Sequence, residues 1–334
     1  MTKKASVVLL TVLPLIVLGL GLLGIRVGAV DLTWTDIFRA FAGSGDPDRS
    51  YIVLNYRLPR IGLAVLVGAG LSVSGLASQA MLRNPLAAPD TLGVSAGAAF
   101  GAVSTVLLVP PEWQSVWLTS IAAMAGGLTG GALVYMLSYQ GGIDPVRLAL
   151  VGVAVSACGS TLVQLLVTRS ASNANTVLLW LNGSLWGRSW EQVLQAAPVL
   201  LIGLPLMWML GRTLNVIALG DEASRGLGLP LEPMRLAILT LAILLASGSV
   251  AAAGTIGFVG LVAPHMARRL AGRDHRVLVP VAALLGGALV LTADILGRII
   301  SPPVEFPAGL VTAAVGAPYF LYLIWREYRP RSIK

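Results

Sequence analysis

The stretch Leu58-Pro-Arg-Ile-Gly-Leu-Ala-Val-Leu-Val-Gly-Ala-Gly-Leu-Ser-Val-Ser-Gly-Leu-Ala-Ser-Gln-Ala-Met-Leu82 carries one charged side chain, Arg60. Crossing the hydrocarbon of a bilayer takes roughly 20 mostly apolar residues in a helix. This run supplies them, with small residues where a second helix would approach. It reads as a membrane-spanning helix, and most of the chain repeats the pattern. Of 334 residues 56% are hydrophobic, about 187 positions, against 23 basic and 15 acidic ones. Charged residues at 11% are less than half the ~25% of a soluble domain, and the mean hydropathy is +0.83. The apolar positions suffice for on the order of nine or ten spans. The fold class is therefore all-α integral membrane, a single transmembrane domain over residues 1–334. A soluble enzyme with one anchor is excluded.

Charges and Gly/Pro punctuation cut the chain into ten predicted helices, at about residues 5–29, 58–82, 91–109, 115–138, 146–168, 192–211, 233–253, 256–270, 277–299 and 308–325. The eighth barely reaches across a bilayer. The N-terminal apolar run is too long for a secretory signal and no A-x-A site follows it, so it is read as the first span. An even number of spans puts both termini on one side, and basic residues choose which. With the N-terminus inside, the cytoplasmic segments hold Lys3, Lys4, Arg83, Arg147, Arg212, Arg225, Arg235, Arg268, Arg269, Arg273, Arg276, Arg326, Arg329, Arg331 and Lys334, which is 15 of the 23 basic residues. The pI near 10.1 is then mostly topology, and a nucleic-acid partner is not indicated. The 38 glycines gather inside the spans, as at Gly68, Gly70, Gly75, Gly126, Gly127, Gly130, Gly131, Gly286 and Gly287, where close helix packing accounts for them. One internal echo is visible: Ser72-Val73-Ser74-Gly75 precedes Pro85 by ten residues, as Ser249-Val250 with Gly254 precedes Pro264. An inverted repeat would produce such a pair.

Groups able to do chemistry are few. His265 and His275 lie beside Arg268, Arg269 and Arg273 without acidic or cysteine company, so a structural role fits them better than metal ligation. Cys158 stands alone and makes neither a disulfide nor a metal site. Asp294 is the main acid inside a span. Arg298 follows one helical turn later, so a rim ion pair is the plain reading, and a proton relay, hence a proton-coupled secondary transporter, is the sharper alternative. All three lysines, at positions 3, 4 and 334, are terminal, so no G-x-x-x-x-G-K-[ST] phosphate loop exists. If ATP drives transport, ATP and Mg²⁺ sit on another chain and this one holds no cofactor.

Arg57-Leu58-Pro59-Arg60, then Gly68 to Gly75, Gln79, Arg83-Asn84-Pro85-Leu86-Ala87 with Pro89, and Leu92-Gly93-Val94 with Gly97-Ala98 resemble the opening signature of the FecCD family. These are membrane subunits of ABC importers for iron-siderophores, haem and cobalamin. Further matches follow in order: Gly152 to Ser156; Trp180 to Leu185; Leu219 to Ala223 with Leu227-Gly228; Gly257 to Val262 with Pro264-His265; Asp274-His275-Arg276; Ala293-Asp294 with Arg298; and Glu305 with Pro307, Gly309, Thr312, Ala313, Gly316 and Pro318. They extend over about residues 50 to 325.

The resemblance implies a BtuC-like ABC permease fold of ten helices, paired with a second permease subunit, two cytoplasmic ATPase subunits and an extracytoplasmic substrate-binding protein. The setting is the bacterial cytoplasmic membrane, with the lipid bilayer as solvent and an iron(III)-siderophore or related metal chelate as cargo. It further implies that Arg57, Arg60 and Arg298 are docking positions for acidic residues of the binding protein. Headgroup binding, or pairing with Asp294 and Glu305, is the alternative for these arginines. Asp221, Glu222, Ala223, Gly226, Leu227 and Gly228, in the connection at about 212–232, resemble the coupling helix that enters a cleft on each ATPase. Asn84, Pro85 and Leu86, with Gly141 and Gly142, would flank the cytoplasmic gate. Ser156, Ser160, Gln164 and Thr312 are candidate pathway residues, with packing an equal alternative. The segment Asn173 to Gly187 would hold a short extra helix, with Trp180 and Trp186 suited to the interfacial belt.

Overall fold

A computed structural model describes residues 3–28, 30–169, 174–302 and 304–327. Among the described residues ten longer helices stand where the sequence places them: α1 (Lys3–Arg26), α2 (Leu58–Met81), α3 (Val94–Leu108), α4 (Val116–Ser138), α5 (Pro145–Arg169), α6 (Trp190–Met209), α7 (Leu231–Ala253), α8 (Val259–Ala271), α9 (His275–Ile299) and α10 (Ala308–Glu327). Seven stretches among the described residues are long and apolar enough to cross a membrane by length and composition; α3 and Ala308–Tyr322 of α10 are apolar but shorter. At 13 residues, α8 is shorter than the sequence suggests, because Gly254–Gly257 stays non-helical. Short helices fill the connections, at Trp34–Phe41, Pro47–Tyr51, Ala174–Leu181, Gly211–Ile217 and Asp221–Gly226. Arg329, Arg331, Lys334 and Asn173 lie outside the described residues.

Helix starts follow local chemistry. Asp274 caps α9 by accepting from the Arg276 N–H, Ser189 and Gln192 form a capping box on α6, and Ser115 accepts from Leu118 N–H on α4. Each satisfies backbone donors that the first turn leaves free. α2, α7 and α9 form the interior and α5 stands at the edge. In the stretch Pro47–Met81, 83% of the apolar window is buried, against 11% for Pro145–Thr168.

The interior helices approach through missing side chains. A Cβ on Gly68 would lie 2.8 Å from Gly287 Cα, so only glycine lets α2 and α9 cross there. The Ser72 hydroxyl then donates to Ala282 O on α9 at 2.7 Å, and Ser74 to Ala242 O on α7 at 2.7 Å. Within a membrane, such packing and interhelical bonds replace the hydrophobic drive that lipid cannot supply.

The pairings also repeat across the two halves. α2 packs on α9 as α7 packs on α4, α3 on α4 as α8 on α9, and α2 on α8 as α7 on α3. A left-handed residue, Gly93 or Phe258, precedes α3 and α8 alike. The two helix quintets thus correspond, although the echoed prolines do not: Pro85 precedes α3 whereas Pro264 lies inside α8.

Candidate functional site

At the end of the bundle where α2 stops and α7 starts, the helix Asp221–Gly226 lies on the surface. Its attachment is ionic. Arg235, on the first turns of α7 and buried, donates to Asp221 Oδ1 at 2.6 Å, and Arg83, just beyond α2, donates to the same oxygen. Burial alone would raise the Asp221 carboxyl; Arg235 and Arg83 outweigh that and hold it below the ordinary carboxylate range. The second Arg235 nitrogen donates to Ile143 O at 3.0 Å, while Glu232 accepts from Ile143 N–H at 3.2 Å. One guanidinium therefore joins the expected coupling helix to the Gly141–Ile143 turn, and one carboxylate joins that helix to the segment leading into Asn84-Pro85-Leu86.

The helix ends in the hydrogen-bond pattern of a glycine stop. Gly228 N–H donates to Arg225 O at 2.9 Å and Leu229 N–H to Ser224 O at 3.1 Å, with Gly228 left-handed at φ 77°. Buried Ser224 donates to Val216 O at 2.9 Å and to Gly220 O at 2.6 Å, seating the helix on its predecessor. Glu222, Ala223, Gly226 and Leu227 face outward; Leu227 is 66% exposed and Leu219 65%. Exposed aliphatic tips on an ion-paired base suit contact with another chain. At the neighbouring segments, Asn84 Oδ1 accepts from Leu86 N–H at 2.9 Å, which fixes the turn into Pro85. Gly141 is left-handed at φ 69°, and Gly142 lies against the Glu232 carboxylate.

A cavity of about 390 Å³ opens beside α5, lined by Asp90, Ser95, Ser156, Ser160, Gln164 and Thr255 among others. Ser156 donates to Asp90 O at 2.7 Å. Three of the four expected pathway residues thus share one cavity. Thr312 does not join them: it is buried on α10 and its hydroxyl bonds back to Gly309 O at 3.0 Å. The sequence reading missed Asp90, Ser95 and Thr255, which come from the linker before α3, the first turn of α3 and the linker before α8, and reach α5 only through the fold.

Of the three arginines expected at docking positions, Arg60 and Arg298 pair with carboxylates inside the chain, as the alternative reading expects. Arg57, Arg60 and Arg298 are 3%, 2% and 4% exposed and turn inward. Arg60 bonds Asp294 at 2.7 Å and Glu305 at 2.7 Å, and Arg298 bonds Asp294 at 2.7 Å. Arg298 also donates to Gly24 O at 3.0 Å and Val27 O at 3.1 Å, and Arg57 to Arg26 O at 2.7 Å and to Ile25 O. Three cations and two carboxylates therefore lock α1, α2, α9 and the segment before α10 together. The physical reason is desolvation: charges at packed helix ends must find partners inside the chain. Trp180 is likewise buried, leaving Trp186 as the exposed tryptophan of that segment. His275 Nδ1 lies 2.8 Å from Asn215 Oδ1 and His265 packs edge-on against Tyr319. Among the described residues no group of three His, Cys, Asp or Glu side chains is placed to hold a metal.

Two corresponding helix quintets, a surface helix wired to the ends of interior helices and a cavity with serine and glutamine side chains on an edge helix define a membrane transport subunit. The chain belongs to the FecCD transport family, whose model matches residues 15–326. It is 41% identical over 324 residues to the Fe(3+) dicitrate transport system permease protein FecD of Escherichia coli, covering 97% of this chain and 99% of that protein. It is 40% identical over 327 residues to the Fe(3+)-citrate import system permease protein YfmE of Bacillus subtilis, covering 98% and 97%. A solved ABC transporter assigned to the metal-chelate type, in an inward-facing conformation, matches with a TM-score of 0.85 at 31% identity, covering 95% of this chain and 98% of that one.

Proposed function

We propose that the chain is the membrane-spanning permease subunit of an ABC importer that carries an iron(III)-siderophore, or a related metal chelate such as ferric citrate, into the cytoplasm. A second permease subunit, identical or paralogous, faces it across the pathway. Two ATPase subunits bind ATP and Mg²⁺ and engage the Asp221–Gly226 helix, and an extracytoplasmic binding protein delivers the cargo. The setting is the bacterial cytoplasmic membrane with both termini in the cytoplasm, as the distribution of basic residues favours.

The observation that carries this reading is the ionic junction Arg83–Asp221–Arg235. Nucleotide-driven movement of a partner that grips Leu227 and Glu222 would pull on Asp221. Through Arg83 and Arg235 the pull reaches the end of α2, the start of α7 and the Ile143 turn, which flank the inner gate. A rigid surface helix on ionic tethers passes such a displacement as a shift between discrete packings. The cavity beside α5 opens on the least buried helix, where Leu150, Val153, Leu162 and Leu165 are exposed, as a face completed by a second subunit would be. A proton-coupled carrier using Asp294 has little support, because two guanidiniums occupy that carboxylate.

The test is uptake of labelled ferric chelate into vesicles holding the permease with its ATPase. Dependence on both internal ATP and the binding protein supports the reading; uptake driven by a proton gradient alone overturns it.

A further inference from the structure

A second pocket, about 320 Å³, lies near the Asp221 helix between the end of α2, the end of α8 and the start of α9. Gln79, Arg83, Arg268, Arg273 and His275 line it. No carboxylate does, among the described residues. Asp274, the nearest acid in sequence, is committed to Arg276 at 2.8 Å and to Asn215 at 2.8 Å, and Asp221 to Arg83 and Arg235. Neither Arg268 nor Arg273 forms an ion pair among the described residues, and both line this pocket. Gln79 supplies an independent sign. It is 3% exposed, and neither its amide nitrogen nor its amide oxygen has a hydrogen-bond partner. A buried amide left unpaired is costly, and two unpaired guanidiniums beside it repel.

An anion removes both penalties at once. Guanidinium forks match tetrahedral oxyanions, the Gln79 NH₂ group offers a further donor, and Ala80, Ala218 and Leu278 provide an apolar wall. Basic pockets between helices near a membrane surface hold phosphate headgroups. We propose that this pocket is a phosphate-binding site, filled by the headgroup of an anionic phospholipid or by phosphate free in solution. It is distinct from the cargo cavity beside α5, and it shares Arg83 with the coupling junction, so occupancy would stiffen that junction.

The test uses the purified transporter complex, titrated with phosphatidylglycerol, with phosphatidylcholine and with inorganic phosphate, and read by native mass spectrometry. Wild type should retain phosphatidylglycerol at least fivefold better than phosphatidylcholine, whose choline offsets the phosphate. Arg273→Ala, at an exposed position, and Gln79→Leu should each lose retention at least fivefold. Arg269→Ala, next along α8 but outside the pocket, should match wild type, and equal melting temperatures would exclude unfolding as the cause. Displacement of lipid by inorganic phosphate identifies the free anion as a ligand; its failure to displace identifies the headgroup. Equal phosphatidylglycerol retention in all variants, or no phosphate-bearing ligand retained by wild type, overturns the proposal.

Discussion

Arg235 Nη2 lies 2.6 Å from Asp221 Oδ1, and the same guanidinium holds the Ile143 carbonyl. The pair makes the attachment of a surface helix depend on the first turns of α7. Arg235→Ala should leave ATP hydrolysis by the assembled transporter within about twofold of wild type while lowering uptake at least ~tenfold, the equivalent of ~1.4 kcal/mol of coupling. Parallel ATPase and uptake assays check this. A proportional fall in both activities would place Arg235 in assembly rather than in transmission.

Gly226 and Gly228 should separate under substitution. A Cβ at Gly226 meets open space within a helix, whereas Gly228 is left-handed. Gly226→Ala should be neutral or stabilising by up to ~1 kcal/mol, and Gly228→Ala should cost ~1–2 kcal/mol. Thermal unfolding of the permease in detergent reads both. If Gly226→Ala melts normally but uncouples transport, its surface contacts the ATPase.

Asp221 predicts a pH window. Its carboxyl is held below the ordinary carboxylate range because Arg235 and Arg83 overcome its burial. A carboxylate depressed in the folded state stabilises fully above its unfolded value of ~3.9, and that stability is lost as pH falls through the lower folded value. Amide protection over residues 224–229, taken relative to intrinsic exchange at each pH, should therefore stay high and flat from about pH 8 to about pH 5 and fall only below ~4. Loosening near pH 6 would contradict an Asp221 tether.

The buried cluster makes a stability prediction in contrast with an exposed pair. Asp294→Asn leaves Arg60 and Arg298 buried with less compensation, and breaking such a pair costs ~3–5 kcal/mol. Arg49→Ala removes the partner of Asp36 at a surface site, where exposed pairs contribute little. Melting of the two variants side by side should show a large drop for the first and none resolvable for the second.

Much of the fold was legible because its signals are local. Apolar windows and glycine clusters sit within a few residues of what they determine. The ionic sites were not legible, because their partners are far apart in sequence. Arg60 meets Asp294 across 234 positions and Arg83 meets Asp221 across 138. An arginine at a span end reads as a docking charge or as an internal lock, and which carboxylate it meets inside the chain is set by the packing of α2 against α9. Glu232 and Arg235, three apart at the start of α7, carried one available hint, a charged pair at a helix entrance, and nothing in it named Ile143 or Asp221.

The cavity beside α5 gives the most discriminating functional contrast, because it holds Ser160 while Thr312 packs elsewhere. Ser160→Leu adds bulk to the cavity without touching the ionic junction, so cargo should be hindered while the ATPase still turns over. Uptake should fall about five- to tenfold with ATP hydrolysis nearly unchanged. Thr312→Val keeps the shape of a buried side chain whose hydroxyl only bonds back along α10, and uptake should stay within about twofold. Both variants need measuring with saturating binding protein, so that cargo delivery does not limit the rate. If Thr312→Val blocks uptake and Ser160→Leu does not, the pathway runs along α10 rather than through this cavity.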